Sequence, residues 1–583
     1  MAFPLIDDVL TLIFESLAAT DPDDDYQNEV AFETLFACLT VNRKFASLAI
    51  PLLWKNLSIE FEDERYAIVR VRFGMYGSKA LSCFEIRHSA EDSLDCLKRR
   101  CDLLDCPYLR FVKHLTVAAE YVEDDGFHGN GCHGQFVGFK EELLKALPSF
   151  TGLKNLQYML DWRGKSHGFT YLGPYHVNGA VDLASVPPPN MVPSNPAREC
   201  LHSTLQDIVN ALPTPPALEI NLANTSMGNR TSDADWIETS YLPCAPHIVR
   251  ATISECFGSI TSLCKFVASA PHLKSLHLPN NLLAPTTFLP SLIRSSSSLR
   301  SLHAVNYREF VPEWTGVPLP SSTSKLLTLT YTPANDQHPQ QHQLFKNPPS
   351  VLPPNLRNLY LDLPITVTSP TMFQPSFFSP LANLTSLHLN AFTEPLFASF
   401  IAFPPPNLQN LIAEFIFPTF SESHLTSLIT CGLEKSLERL HLAFETDFDL
   451  GRMWIDSVNA CRNLRFLSLG PRFGGQMWFG NFASGGKDYV AALLDLIVSG
   501  DKMRYLNIGF YDAPPSQSAN VTIGVFYNRF RVRMGYRDLI DRLFWSAGEC
   551  RWVSRDDFWV VDCGAVRNFV EECGGVTFRA VRY

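Results

Sequence analysis

LKSLHL, from Leu273 to Leu278, is the stretch whose reading decides the fold. Side chains along a strand alternate between faces, so Leu276 and Leu278 share one side and His277 takes the other. The pattern of leucine, two residues, leucine, one residue, apolar residue returns at Leu299 (LRSLHA), Leu326 (LLTLTY), Leu356 (LRNLYL) and Leu384 (LTSLHL). It continues at Leu408 (LQNLIA), Leu437 (LERLHL), Leu464 (LRFLSL) and Met503 (MRYLNI), with an earlier copy at Leu153 (LKNLQY). From Leu273 to Leu464 successive starts lie 24 to 30 residues apart.

That spacing is the period of leucine-rich repeats. One such unit cannot close its own core, so neighbours stack and their strands align as a parallel sheet on the concave side. The return segments vary in length and hold Pro and Ser, so the expected architecture is α/β, an irregular solenoid of strands, helices and loops. VKHLTV at Val112, ALEINL around Leu218 and IVRATI at Ile248 read as degenerate units, which places the solenoid over 109–537. Asn281, in LKSLHLPNNLL, is expected to satisfy backbone groups after its strand. The Trp-, Phe- and Val-rich stretch 538–583 reads as a cap on the last repeat.

Between the two inward residues of each unit stands an outward one. These are His277, His303, Tyr360, His388 and His441, with Thr330, Ser468 and Asn507 in other units. Together they predict a column on the concave face that binds a protein substrate, tunable by protonation at about pH 6 to 7.

Upstream, Leu35, Leu39, Val41, Phe45, Leu48 and Leu52 recur at helical steps with one slip, which predicts short helices ending at Pro51. Before them Leu5, Ile6, Val9, Leu10, Ile13, Phe14 and Leu17 mark one helix face. LIDDVLTLIF, then L-x-x-C-L-x-V-N-R-x-F, then A-x-P-L-L-W resembles the F-box, in the form common among large fungal families. The resemblance covers about the first tenth of the chain. It implies docking on a Skp-type adaptor that joins a cullin ubiquitin ligase, with Pro4, Leu5, Asp8, Val9, Leu10, Ile13, Val41, Asn42 and Phe45 as the adaptor-binding residues. The chain departs from the family in three places: Leu5-Ile6 replaces the usual Leu-Pro, Phe45 replaces a tryptophan, and an acidic insert runs from Asp21 to Asp25. The head is assigned to 1–60, followed by a helical linker at 61–108, in which KNLSIEFEDERYAIVRVRF after Trp54 reads as a strand or extended exit that leads into helical material through Leu97 to Leu104. Of the head's two partners, PLLW is expected to pack toward the body, while Val41, Phe45 and the Leu5-to-Leu17 face meet the adaptor.

At 583 residues, 46% hydrophobic and 18% charged, the chain has material for several domains or one long repeat array. A net charge of −11 argues against nucleic acid as the main partner. Without a long apolar run the expectation is a protein of cytoplasm or nucleus with no membrane contact. Fifteen cysteines without paired spacing read as buried reduced thiols.

Catalysis has no constellation behind it. GNFASGGKD around Lys487 holds Asn481 where a phosphate loop needs its first glycine and Asp488 where it needs Ser or Thr. His128, Cys132 and His133 lie at no zinc-finger spacing, and Cys96, Cys101 and Cys106 scatter around a helix. No metal, cofactor or enzymatic activity is expected. The reading is a substrate-recognition subunit of an SCF-type ligase in ubiquitin-dependent degradation; the alternative is a repeat scaffold whose F-box-like head has diverged and joins no ligase.

Overall fold

The computed structural model describes residues 4–17, 25–63, 67–76, 79–88, 108–123, 140–141, 143–164, 196–224, 237–253, 260–278, 283–285, 288–296, 298–310, 325–333, 352–363, 376–444, 448–449, 453–471, 477–478, 497–498, 502–508, 529–534 and 558–572. They fall into two compact units. The first comprises Met1–Pro279 with Ser295–Leu299 and Gly316–Pro320; the second comprises Asn280–Arg294, Arg300–Thr315 and Ser321–Tyr583.

The first unit opens with three helices, α1 (Pro4–Leu17), α2 (Asp25–Val41) and α3 (Arg43–Leu53). The slip in hydrophobic spacing falls where α2 gives way to α3. Asn42 sits between them in extended conformation, and its Oδ1 accepts from Lys44 N and Phe45 N, both at 2.9 Å. That contact satisfies two amides that would otherwise lack partners at the start of α3. Pro51 does not end α3, which runs on to Leu53. A proline in the last turn removes one hydrogen bond and leaves the turns before it intact. Phe14, Leu35, Ala49 and Leu53 form the buried centre of this head, ringed by Phe32, Cys38, Leu39, Phe45, Leu48, Leu52 and Trp54.

Three strands follow: β1 (Asn56–Asp63), β2 (Ala67–Tyr76) and β3 (Lys79–His88). β1 and β2 agree with the extended exit read after Trp54, while the helical assignment of 61–108 is corrected as far as His88, because β2 pairs antiparallel with both β1 and β3. The sequence AIVRVRF alternates apolar and charged residues with a strand's period, and Arg72 reaches Glu60 on β1 at 3.1 Å. Leu97 to Leu104, read as helical, lie outside the described residues.

Parallel stacking starts at β1, earlier than the repeat pattern suggested. β1 pairs parallel with β4 (His114–Glu123), and β5 (Asn155–Gly164), β6 (Ala217–Asn224), β7 (Ile248–Ile253) and β8 (Ser275–Leu278) add in order. Lys113 N and His114 N both donate to Lys55 O, and Lys154 N and Asn155 N both donate to Lys113 O. KNLSI after Trp54 is therefore the first repeat strand, fused to the end of α3. Of PLLW, Trp54 reaches toward the body, its ring centroid 5.1 Å from that of Tyr108, whereas Leu53 lies in the head's own buried centre and Leu52 packs against it. Gly152, just before the Leu153 repeat, allows a close approach: a Cβ there would meet Arg110 O at 2.8 Å.

In the second unit β9 (Leu283–Pro285), β10 (Ser301–Phe310), β11 (Thr328–Pro333), β12 (Asn358–Leu361), β13 (Ser386–Phe392), β14 (Asn410–Ile416) and β15 (Arg439–Phe444) run parallel. β16 (Phe448–Asp449) pairs aside with β18 (Met477–Trp478), while β17 (Phe466–Pro471) and β19 (Tyr505–Ile508) continue the main sheet. Leu302, Leu329, Leu359, Leu387, Leu411, Leu440, Leu467 and Leu506 stand in one register row. All eight are buried. Each contributes roughly 1.5–3 kcal/mol by leaving water, so this row is the main source of cohesion.

A second row of bonds ties the repeats outside the sheet. Asn383 Nδ2 donates to Pro354 O at 2.9 Å, Asn407 Nδ2 to Ala382 O at 2.9 Å, and Asn463 Nδ2 to Lys435 O at 2.6 Å. The asparagine that matters here is the residue before the first leucine, legible as N-L-x-x-L. Asn281, after the strand, lies outside the described residues.

The far end is closed by reversal of direction. β20 (Arg531–Met534) and β21 (Phe558–Asp562) run antiparallel, with β21 against β19. Cys563 N donates to Arg504 O at 3.0 Å, the place a further repeat would occupy.

Candidate protein-interaction surfaces

The head leaves large apolar side chains in water. On α1, Val9 is 48%, Leu12 64% and Ile13 48% exposed, and on α2, Val30 is 46%, Phe36 50% and Val41 60% exposed. Helical spacing puts Val9, Leu12 and Ile13 on one face while Phe14 turns inward; Val30 and Val41 likewise share a face of α2. Of the expected adaptor-binding residues, Val9, Ile13 and Val41 are thus open to a partner, and Leu10 is half-buried. Asn42 is occupied as a helix cap. Phe45 faces the head's interior, edge-on to Phe14 with centroids 5.4 Å apart. Pro4, Leu5 and Asp8 lie in α1, their side chains outside the described residues. Leu12, Val30 and Phe36 were missed because Leu12 stands outside the stripe read on α1, and Val30 and Phe36 lie on α2 outside the spacing read from Leu35.

The concave column forms in register, with Thr330 opposite His303 and Tyr360, Tyr360 opposite His388, and His441 opposite Ser468. Its exposure is not as expected. His303, Tyr360, His388 and His441 are only 6%, 4%, 4% and 4% exposed, and His277, in the first unit, is half-buried. Strand spacing is the physical reason: neighbours about 4.8 Å apart pack on each other. Tyr360 and His388 meet edge-on at 4.3 Å, Ser301 Oγ lies 2.8 Å from His303 Nε2, and Asn507 Nδ2 donates to Ser468 Oγ at 3.1 Å.

Burial also removes the expected protonation switch at His303. Loss of solvation lowers its pKa from 6.5 to about 4, so it stays neutral where tuning was expected. The unfolded chain takes up this proton near pH 6.5 and the folded chain only near 4, so stability is lost as pH falls between them. We expect the native protein to unfold at lower temperature at about pH 5 than at about pH 7.5, with His303→Gln reducing that difference; the full shift corresponds to roughly 3 kcal/mol. Thermal melts of both proteins at both pH values check this.

A second opening lies at the strand starts of the second unit. It is a cavity of about 730 Å³ whose lining includes Arg300, Lys325, Arg357, Lys435 and Glu438. His114, at the start of β4, has its pKa lowered by burial first and then by Lys55, Lys113 and Lys154.

The buried thiols of Cys244, Cys264, Cys461 and Cys563 are pushed up to about 12, chiefly by desolvation, which makes them poor nucleophiles. GNFASGGKD, the His128 to His133 group and Cys96, Cys101 and Cys106 lie outside the described residues. Among the described residues no cluster of three or more metal-ligating side chains forms, and no helix is long and apolar enough to cross a membrane.

No family model matches the chain, and no curated protein does. Among solved structures it is similar to a chain of the yeast Rad7 and Elc1 complex, at 15% identity and a TM-score of 0.25, over 42% of this chain and 74% of that one. So slight an overlap fixes neither family nor function. The α/β architecture with its long, mostly parallel sheet stands on the strand pairings themselves.

Proposed function

We propose that the protein is a non-enzymatic substrate receptor of an SCF-type cullin ubiquitin ligase in cytoplasm or nucleus. Its helical head docks on a Skp-type adaptor, and its repeats hold a target protein while the partner subunits transfer ubiquitin. One observation carries this reading: Val9, Ile13 and Val41, expected adaptor contacts from the F-box resemblance, are large apolar side chains left about half exposed or more. Such groups at a surface mark a protein-binding site. Fusion of the head to the first repeat strand at Trp54 and Lys55 suits a receptor that must transmit the position of its target to the ligase.

The test is capture of the tagged full chain from cells, followed by detection of adaptor and cullin. Both are expected with the native chain, and both are expected to disappear with Val9→Asp plus Val41→Asp. Absence of adaptor from the native capture would instead favour a repeat scaffold that joins no ligase.

A further inference from the structure

The residue after the first leucine of each repeat stands where its strand begins. In the second unit these residues are fixed in one row by the backbone. Leu327 N and Thr328 N donate to Arg300 O at 2.8 and 2.9 Å, Arg357 N and Asn358 N to Leu327 O at 2.9 Å each, and Thr385 N and Ser386 N to Arg357 O at 2.8 and 2.9 Å. The row continues through Gln409, Glu438 and Arg465 to Arg504 in the same way. Each step advances by about one strand spacing, 4.8 Å, so Arg300 and Arg357, two strands apart, stand about 10 Å from each other.

The cavity of about 730 Å³ lies along this row. Its charged lining is Arg300, Lys325, Arg357 and Lys435 against the single carboxylate of Glu438; the rest is amide, hydroxyl and one leucine. All four cations are exposed, and none makes an ion pair among the described residues. In a chain of net charge −11, four unpaired cations in one groove concentrate an attractive field for anions. No aromatic side chain lines the groove, so bases would find no stacking platform, and Glu438 would repel a continuous phosphate backbone. A peptide extended as a polyproline II helix fits better: every third side chain returns to one face, so carboxylates three residues apart repeat at about 9 Å, close to the Arg300 to Arg357 spacing.

We propose that this groove binds an extended acidic peptide segment of the target protein, laid across the strands with carboxylates on Arg300, Arg357 and Lys435. The proposal rests on the receptor reading for its biological setting and moves target recognition from the buried column to the strand-start edge.

The test uses the full chain and fluorescence anisotropy of a labelled (Asp-Ser-Gly)4 peptide, its (Asn-Ser-Gly)4 counterpart and an oligouridine RNA of the same length. The acidic peptide should bind in a salt-sensitive manner and the neutral one should not. Arg300→Glu with Arg357→Glu and Lys435→Glu should weaken acidic-peptide binding at least about tenfold, and a milder Arg300→Gln, Arg357→Gln pair should weaken it in the same direction. Equal binding of acidic and neutral peptides, undiminished binding by both variants, or tighter binding of RNA overturns the proposal. Adaptor capture by the triple variant is measured in parallel, so failure at the groove and failure at the head register separately.

Discussion

Leu387→Asp is expected to abolish cooperative folding of the second unit. Leu387 on β13 lies between Leu359 on β12 and Leu411 on β14, and all three have no measurable exposure. An aspartate there loses the transfer free energy of leucine, roughly 1.5–3 kcal/mol, and adds several kcal/mol for a charge with no counter-ion. A domain is commonly stable by only about 5–15 kcal/mol, so the sum is a large fraction of the total. Because each repeat is held only by its neighbours, the defect also interrupts the stack on both sides. Gln409→Asp, at an exposed strand start, is the control and should stay within about 0.5 kcal/mol of the native chain. Limited proteolysis and thermal melts of the two variants side by side check the contrast.

Val9→Asp with Val41→Asp is expected to weaken adaptor binding by roughly a thousandfold or more. Central apolar anchors of an interface cost about 2–4 kcal/mol each on truncation, and a buried unpaired carboxylate adds to that. Two such changes therefore exceed about 4 kcal/mol, and each 1.4 kcal/mol is a factor of ten. The fold should tolerate both, since Val9 is 48% and Val41 60% exposed, whereas the head's buried centre is Phe14, Leu35, Ala49 and Leu53. Phe45→Ala acts differently. It removes the edge-on contact with Phe14, so loss of binding in that variant would accompany loss of head stability.

The repeat leucines were legible because their spacing is a property of the chain itself: Leu302 through Leu506 fall in register as the L-x-x-L-x-L pattern requires. The column of His303, Tyr360, His388 and His441 was legible as a column but not as buried. Alternation tells which side of a strand a residue takes, while burial depends on how tightly its cross-strand neighbours close over it. The strands at Ala67–Tyr76 and Lys79–His88 carried a visible period-2 signal, but pairing with β1 needs partners distant in sequence to be recognised as a sheet. The same limit applies to the groove. Arg300 and Arg357 lie 57 residues apart in the chain, and only parallel stacking brings them onto one edge with Lys325 and Lys435. In the head, helical periodicity marked Val9, Ile13 and Phe14 as one stripe, and only the packing of α1 on α2 and α3 showed which of them turn inward.

The receptor reading meets its most direct test in the mass of the particle formed when purified full chain and purified Skp-type adaptor are mixed and passed over a sizing column with light scattering. A one-to-one complex is expected with the native chain, reverting to the mass of the free chain with Val9→Asp plus Val41→Asp. Two separate peaks with the native chain, or a complex that survives both aspartates, would contradict it.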